Sequence, residues 1–176
     1  MIAPAAVIEQ AIGGGQAIAA TRLAVGRIGV GVFVRMGTPA PDVSSENALR
    51  AALLSADRIV YTQGSSGQYI DALFGKLGVA SQLASRLVRV ADADTALARV
   101  AAGTSRDLGF GAITAIKAFE GKGTTYAAPL PDSLQNFTAY DAVVRTGARE
   151  PQAAAAFLEF LRSPAARRTL EEAGLK

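Results

Sequence analysis

Between residues 40 and 128, short apolar runs alternate with stretches whose apolar residues recur every three or four positions, and Gly, Pro, Ser or Asp marks each change. Arg58–Thr62, β-branched and aromatic, predicts a strand. Gly64-Ser65-Ser66-Gly67 predicts a tight turn, and Gln68–Leu77 an amphipathic helix stopped by Gly78. Gly64 and Gly67 suit positive φ or close backbone approach. Ser65 or Ser66 would cap the helix, leaving hydroxyls beside first-turn N–H groups that favour an anion. Around this centre, Ser44 or Ser45 caps a helix with Leu49, Ala52, Leu53 and Ala56 on its apolar face. Val79–Ala84 predicts a short helix and Leu87–Val90 a strand. Asp92 or Asp94 then caps a helix carrying Ala96, Leu97, Val100 and Ala101. Asp107–Ala112 reads as a strand running into a glycine turn, Ile113–Phe119 as a helical turn, and Thr124–Ala128 as a strand. This β/α alternation predicts a mostly parallel sheet with helices on both faces, an α/β fold.

The flanks read differently. Pro4–Ile12 predicts a helix ended by Gly13-Gly14-Gly15, and residues 17–35 are strand-rich, ending in the nearly continuous apolar run Ile28–Val34. Turn clusters at Gly37–Asp42 and Pro129–Asp132 bound the central region. Beyond them come a long strand, Phe137–Thr146, and two helices. The first, Glu150–Leu161, has Pro151 near its start, and the second opens on Ser163-Pro164 and ends at Gly174.

Composition narrows the chemistry. None of the 176 residues is histidine or cysteine. That removes disulfides, thiolate or imidazole metal sites, Cys nucleophiles and a Ser-His-Asp triad; no cofactor or metal is expected. A serine nucleophile would need a lysine, and Lys76 lies two or three helical turns from Ser66, too far along the axis. Lys117 could approach only through folding. Carboxylate pairs such as Asp92/Asp94 and Glu171/Glu172 suit caps and surface charge, so the chain is not expected to be an enzyme. The net charge of +3, from 18 basic and 15 acidic residues, is scattered, which argues against nucleic acid. No apolar run reaches membrane-spanning length. Residues 1–20 lack a basic leader, and Glu9, Gln10 and three glycines interrupt them, so no signal peptide is read there and Met1, as a true start, would imply a cytoplasmic protein.

The chain then shows a series of motifs in order. They are Pro41-Asp42-Val43-Ser44-Ser45, Ile59-Val60-Tyr61-Thr62, Asp107-Leu108-Gly109-Phe110-Gly111-Ala112-Ile113 and the closing Phe157-Leu158-Glu159-Phe160-Leu161-Arg162-Ser163-Pro164. This pattern resembles the molybdate-binding-protein-like family of bacterial extracellular solute-binding proteins, which have the type II periplasmic binding fold. The resemblance covers essentially the whole chain. It implies one complete lobe at 38–130 and a partial second lobe from 1–37 and 131–176. It also implies a periplasmic or extracellular location, an ABC permease as partner, and a small oxyanion or organic acid as ligand. Ligand groups would come from Ser65, Ser66 and Gly67, main-chain donors from Gly111 and Ala112, and Tyr140 near the hinge.

Two departures from the family pattern matter. Family members carry a further segment before the residues matching Met1, which supplies part of lobe one and half of the anion site. Without it, exposed edges and apolar faces predict a homo-oligomer. The molybdate branch places a tyrosine where Ala112 stands, which argues against molybdate. The alternatives are an effector-binding domain of a transcription regulator, although no helix-turn-helix is present, and a Ser/Lys enzyme.

Overall fold

The structure is a computed structural model that describes residues 1–104 and 106–176; at Ser65 the backbone alone is described. The chain divides into two units, one of Met1–Ile28 with Phe137–Lys176 and one of Gly29–Asn136. Among the described residues no helix is long and apolar enough to cross a membrane.

In the first unit, β1 (Ile2–Pro4) pairs antiparallel with β7 (Phe137–Ala142), placing Ile2 opposite Ala142 and Pro4 opposite Tyr140. Helix α1 (Ala5–Gly13) starts after Pro4, whose fixed φ suits a helix entrance, and buries Ile8 and Ala11 with Ala17 and Val143. The first part of β2 (Leu23–Arg35) contributes Leu23 and Val25 to a second cluster, completed by Ala142, Val144 and two residues of α7 (Pro151–Arg162), Leu158 and Leu161. Ser163 caps α8 (Pro164–Glu172), its hydroxyl accepting from the Ala166 N–H at 3.2 Å. Gly174 ends that helix at φ 99°, a conformation glycine adopts without strain. The strand expected to reach Thr146 stops at Ala142.

The second unit holds the expected α/β core. Its helices are α2 (Glu46–Ser55), α3 (Ser65–Lys76), α4 (Ala80–Leu83), α5 (Ala93–Ala101) and α6 (Ile113–Ala118). Its strands are the second part of β2, β3 (Ile59–Thr62), β4 (Leu87–Val90), β5 (Leu108–Ala112) and β6 (Thr124–Pro129). Strand β3 lies between β4 and β5 and is parallel to both, whereas β2 runs antiparallel to β5 and β6. The sheet is therefore parallel from its β4 edge through β3 to β5 and antiparallel beyond β5. Ser45 caps α2 through the Ala48 N–H and Asp92 caps α5 through the Thr95 N–H, one from each pair of candidates.

Side chains along the strands alternate between two cores, as the two-residue period requires. Ile59 and Tyr61 pack with Ile70, Leu73 and Phe74 of α3, while Val60 between them packs with Ala96, Leu97 and Val100 of α5. Phe33 joins the α5 side, and its neighbours Val32 and Val34 join the α3 side. Helices thus cover both faces, which explains why these strands read as continuous apolar runs.

The unit boundaries fall at 28/29 and 136/137, whereas the turn clusters lie at 37–42 and 129–132 and the family resemblance implies a lobe at 38–130. Hydrogen bonding accounts for the difference. Val30–Phe33 pair with β5, and the Gln135 amide brackets Val30, accepting from its N–H at 2.7 Å and donating to its carbonyl at 3.0 Å. Strand pairing outweighs the punctuation of the prolines.

Candidate ligand-binding site

The parallel strands β3, β4 and β5 all end on the same edge, at Thr62, Val90 and Ala112. From β3 the chain passes to β4 on one side, then crosses back to β5 on the other. Connections leaving a strand pair in opposite directions open a crevice at the carboxyl ends, the place where open α/β sheets bind ligands. A cavity of about 240 Å³ lies there.

The cavity has an apolar floor and a polar rim. Phe33, Ala96, Leu97 and Ile116 form the floor and are all buried; Phe110 also borders the cavity, but its ring packs against Phe74 in the core on the other face of the sheet. Thr62, Gly64, Ser66, Asp92 and Ala93 contribute to the rim, with Gly111 and Ala112 on the β5 side. Phe33 reaches the floor because Gly109 faces it: a Cβ on Gly109 would run into the phenyl ring. A strand residue with any side chain would close this space.

Helix α3 begins directly beyond β3. Gly64 is its cap residue, with extended geometry (φ −72°, ψ −166°) and no side chain to satisfy the first-turn N–H groups. Ser65 and Ser66 occupy the first helical positions, so neither serine is the cap, correcting the sequence expectation. Gly64 does not use positive φ either. Gly67 is a close-approach glycine, since a Cβ there would sit inside the Thr62 carbonyl. That contact lets the first turn of α3 rest on the end of β3. The Ser66 and Thr62 hydroxyls lie 3.3 Å apart, within hydrogen-bonding reach.

The rim beside the end of β4 is acidic. The Asp92 carboxylate accepts from the Thr95 N–H at 2.8 Å, and this backbone bond, with Thr95's hydroxyl, holds its pKa below the usual carboxylate range. The rim therefore carries a negative charge at neutral pH.

Behind α3, the Tyr61 phenol donates to Asp71 Oδ1 at 2.5 Å, and Arg89 donates to both, at 3.0 Å to the phenol and 2.7 Å to the carboxylate. Burial, then the Asp71 hydrogen bond and charge, push the Tyr61 phenol up to about 12. Burial tends to raise Asp71, but the bonds from Arg89 and Tyr61 and the Arg89 charge outweigh it, and its pKa is lowered.

Of the residues singled out from sequence, Ser66, Gly111 and Ala112 line one cavity. Gly67 stands just behind the rim, buried, as a spacer. Tyr140 belongs to the other unit, on β7 opposite Pro4. The side chain of Ser65 lies outside the described residues. Sequence reading had treated Asp92 as a cap alone and passed over Thr62, Ala93 and the apolar floor. The available signal was positional: Asp92 follows a strand just as Ser66 does, and parallel strands bring their ends to one edge.

Among the described residues, no group of three or more His, Cys, Asp or Glu side chains is placed to hold a metal ion.

This arrangement is that of a periplasmic-binding-protein-like α/β protein, and known structures share it. The Azotobacter vinelandii periplasmic molybdate-binding protein superposes with a TM-score of 0.73 at 19% identity, covering 99% of this chain and 75% of that one. A substrate-binding domain from Clostridium difficile assigned to a molybdenum ABC transporter gives 0.76 at 18% identity, with the same coverage. At such identities the likeness speaks to the fold. The whole chain, residues 1–176, matches the family described as bacterial extracellular solute-binding protein, and it belongs to that family. A curated relative, aconitate isomerase from Pseudomonas sp, is 29% identical over 170 residues, 96% of this chain. The chain spans 63% of that relative's length.

Proposed function

We propose that this chain is the solute-binding component of an ABC-type importer, working outside the cytoplasm, and that it holds a small anion, an oxyanion or organic acid, without chemical conversion. The observation that carries this reading is the cavity at the carboxyl edge of β3, β4 and β5, rimmed by the Thr62 and Ser66 hydroxyls and the uncapped first turn of α3. Hydroxyls and main-chain N–H groups hold an anion without a neutralising cation, so the ligand is retained yet can be released to a permease. Family membership supports the same reading.

The test is ligand-observed NMR with isothermal titration calorimetry on the 176-residue chain, using sulfate, phosphate, molybdate and simple carboxylates. Binding by one class is expected, weakened about 10- to 150-fold by Ser66→Ala as one hydrogen bond to a charged group is lost. No binding at millimolar concentrations, or an unchanged affinity in the variant, overturns the proposal.

The relative named aconitate isomerase supports a second reading, an isomerase of a small unsaturated acid. Asp92 is the only ionisable side chain among the described cavity-lining residues, and its lowered pKa makes it a weak base at neutral pH. Incubation with cis- or trans-aconitate, followed by proton NMR, decides between the two. Isomer interconversion that Asp92→Asn abolishes would establish the enzyme.

A further inference from the structure

We infer that the cavity selects a small organic acid with a hydrocarbon body and discriminates against compact inorganic dianions. The inference rests on the binding reading above and narrows its ligand class. Two independent features of the cavity carry it, the chemistry of the floor and the charge on the rim.

The floor is Phe33, Leu97, Ile116 and Ala96, which pack in one core, all buried and all hydrocarbon. A tetrahedral oxyanion presents oxygen in every direction. With its front oxygens on Thr62 and Ser66, its rear oxygens would face phenyl and aliphatic carbon, losing water and gaining no donor. A carboxylic acid divides its surface in the way the cavity does. Its carboxylate meets the hydroxyls and the first turn of α3, and its carbon chain covers Phe33, Leu97 and Ile116, where removal of apolar surface from water favours binding. The volume of about 240 Å³ admits a body of a few carbons.

The rim adds charge selection. Asp92 lines the same cavity, and its carboxylate already accepts from the Thr95 N–H. A dianion entering beside it meets about twice the repulsion that a monocarboxylate meets. Asparagine caps helices as well as aspartate does, so Asp92→Asn removes the charge while retaining the cap.

The experiment is calorimetric titration of the full 176-residue chain with acetate, propionate and butyrate and, separately, with sulfate and molybdate, repeated in Asp92→Asn. Affinity should rise about 3- to 4-fold with each added methylene until the cavity is full. Butyrate should bind more tightly than either dianion, and Asp92→Asn should improve the dianions by a larger factor than butyrate. If sulfate or molybdate binds the unaltered chain at least as tightly as butyrate, and the acid series shows no gain with length, the inference fails while the binding function stands. If neither series binds, the binding function itself fails and takes the inference with it.

Discussion

The phenol of Tyr61 donates to Asp71 across 2.5 Å, joining the middle of β3 to the second turn of α3, and Arg89 of β4 closes the triangle on both. The ring itself packs edge-on to Phe74 with centroids 5.8 Å apart. Three elements whose ends build the cavity are thus tied one turn behind it. Tyr61→Phe keeps the ring packing and removes only the tie. Because Arg89 and Asp71 are partly exposed, the loss is set near 1 kcal/mol, or a fall of roughly 2–4 °C in Tm. Differential scanning calorimetry measures it, and an unchanged Tm would mean the triangle contributes nothing.

Gly67 and Gly75 lie on the same helix and should respond to alanine with opposite signs. At Gly67 the added carbon meets the Thr62 carbonyl, which is backbone and cannot swing away. Gly67→Ala must lift α3 from β3, at a cost of about 2–4 kcal/mol through overpacking and the loss of its seat. At Gly75, exposed and near the end of α3, the added carbon meets nothing within 4 Å. Gly75→Ala should stabilise by roughly 0.5 kcal/mol by removing backbone freedom from the unfolded chain. Paired urea melts read both signs.

Glycine also shows how far the sequence could be read. The strand–turn–helix at residues 58–77 was legible because β-branched residues, a Gly/Ser turn and a helical period followed one another within one short stretch. Which residue capped the helix was not legible, because Gly64 rather than either serine took the cap position and shifted the helix start to Ser65. The floor was hidden for a different reason. Phe33 and Ile116 are separated by most of the second unit, and only the antiparallel pairing of Phe33 with Gly109, with the space that glycine leaves, brings them into one core. Local pattern fixes elements, whereas register between distant strands fixes the cavity.

Asp107 is the most deeply buried charge of the second unit, with no exposed side-chain surface. The Arg58 fork donates to both its oxygens, and the Thr104 N–H and hydroxyl donate as well. Gly103 leaves the room, since a Cβ there would overlap the carboxylate. Asp107→Ala would leave a guanidinium and a main-chain N–H without their acceptor. About 2–3 kcal/mol should be lost, less than for a fully buried pair because Arg58 is one-third exposed. Arg58→Lys should recover only part of the stability of Arg58→Ala, since an ammonium cannot reproduce the two-pronged contact. Full recovery by lysine would show that charge alone matters here.

The pH dependence of stability should be flat at neutrality and fall at both ends. With no histidine or cysteine, no side chain of ordinary pKa titrates between about pH 6 and 8. On the acid side, Asp42, Asp57, Asp71 and Asp92 all have lowered pKa values in the folded chain. A lowered folded value stabilises at pH above the unfolded value, near 4, and that stabilisation disappears as pH falls through the folded value. On the alkaline side the sign reverses. Tyr61 is pushed up to about 12 from 10.0 by burial and by Asp71, so it contributes fully below pH 10, where both states are neutral. Between 10 and 12 the unfolded chain ionises first and stability is lost. Tyr69 and Tyr126, raised by burial, act in the same direction. Thermal melts from pH 3 to 11 should therefore show a plateau with two descending limbs, and Tyr61→Phe should soften the alkaline limb while leaving the plateau flat. A pronounced step in Tm between pH 6 and 8 would contradict this assignment of the titrating groups.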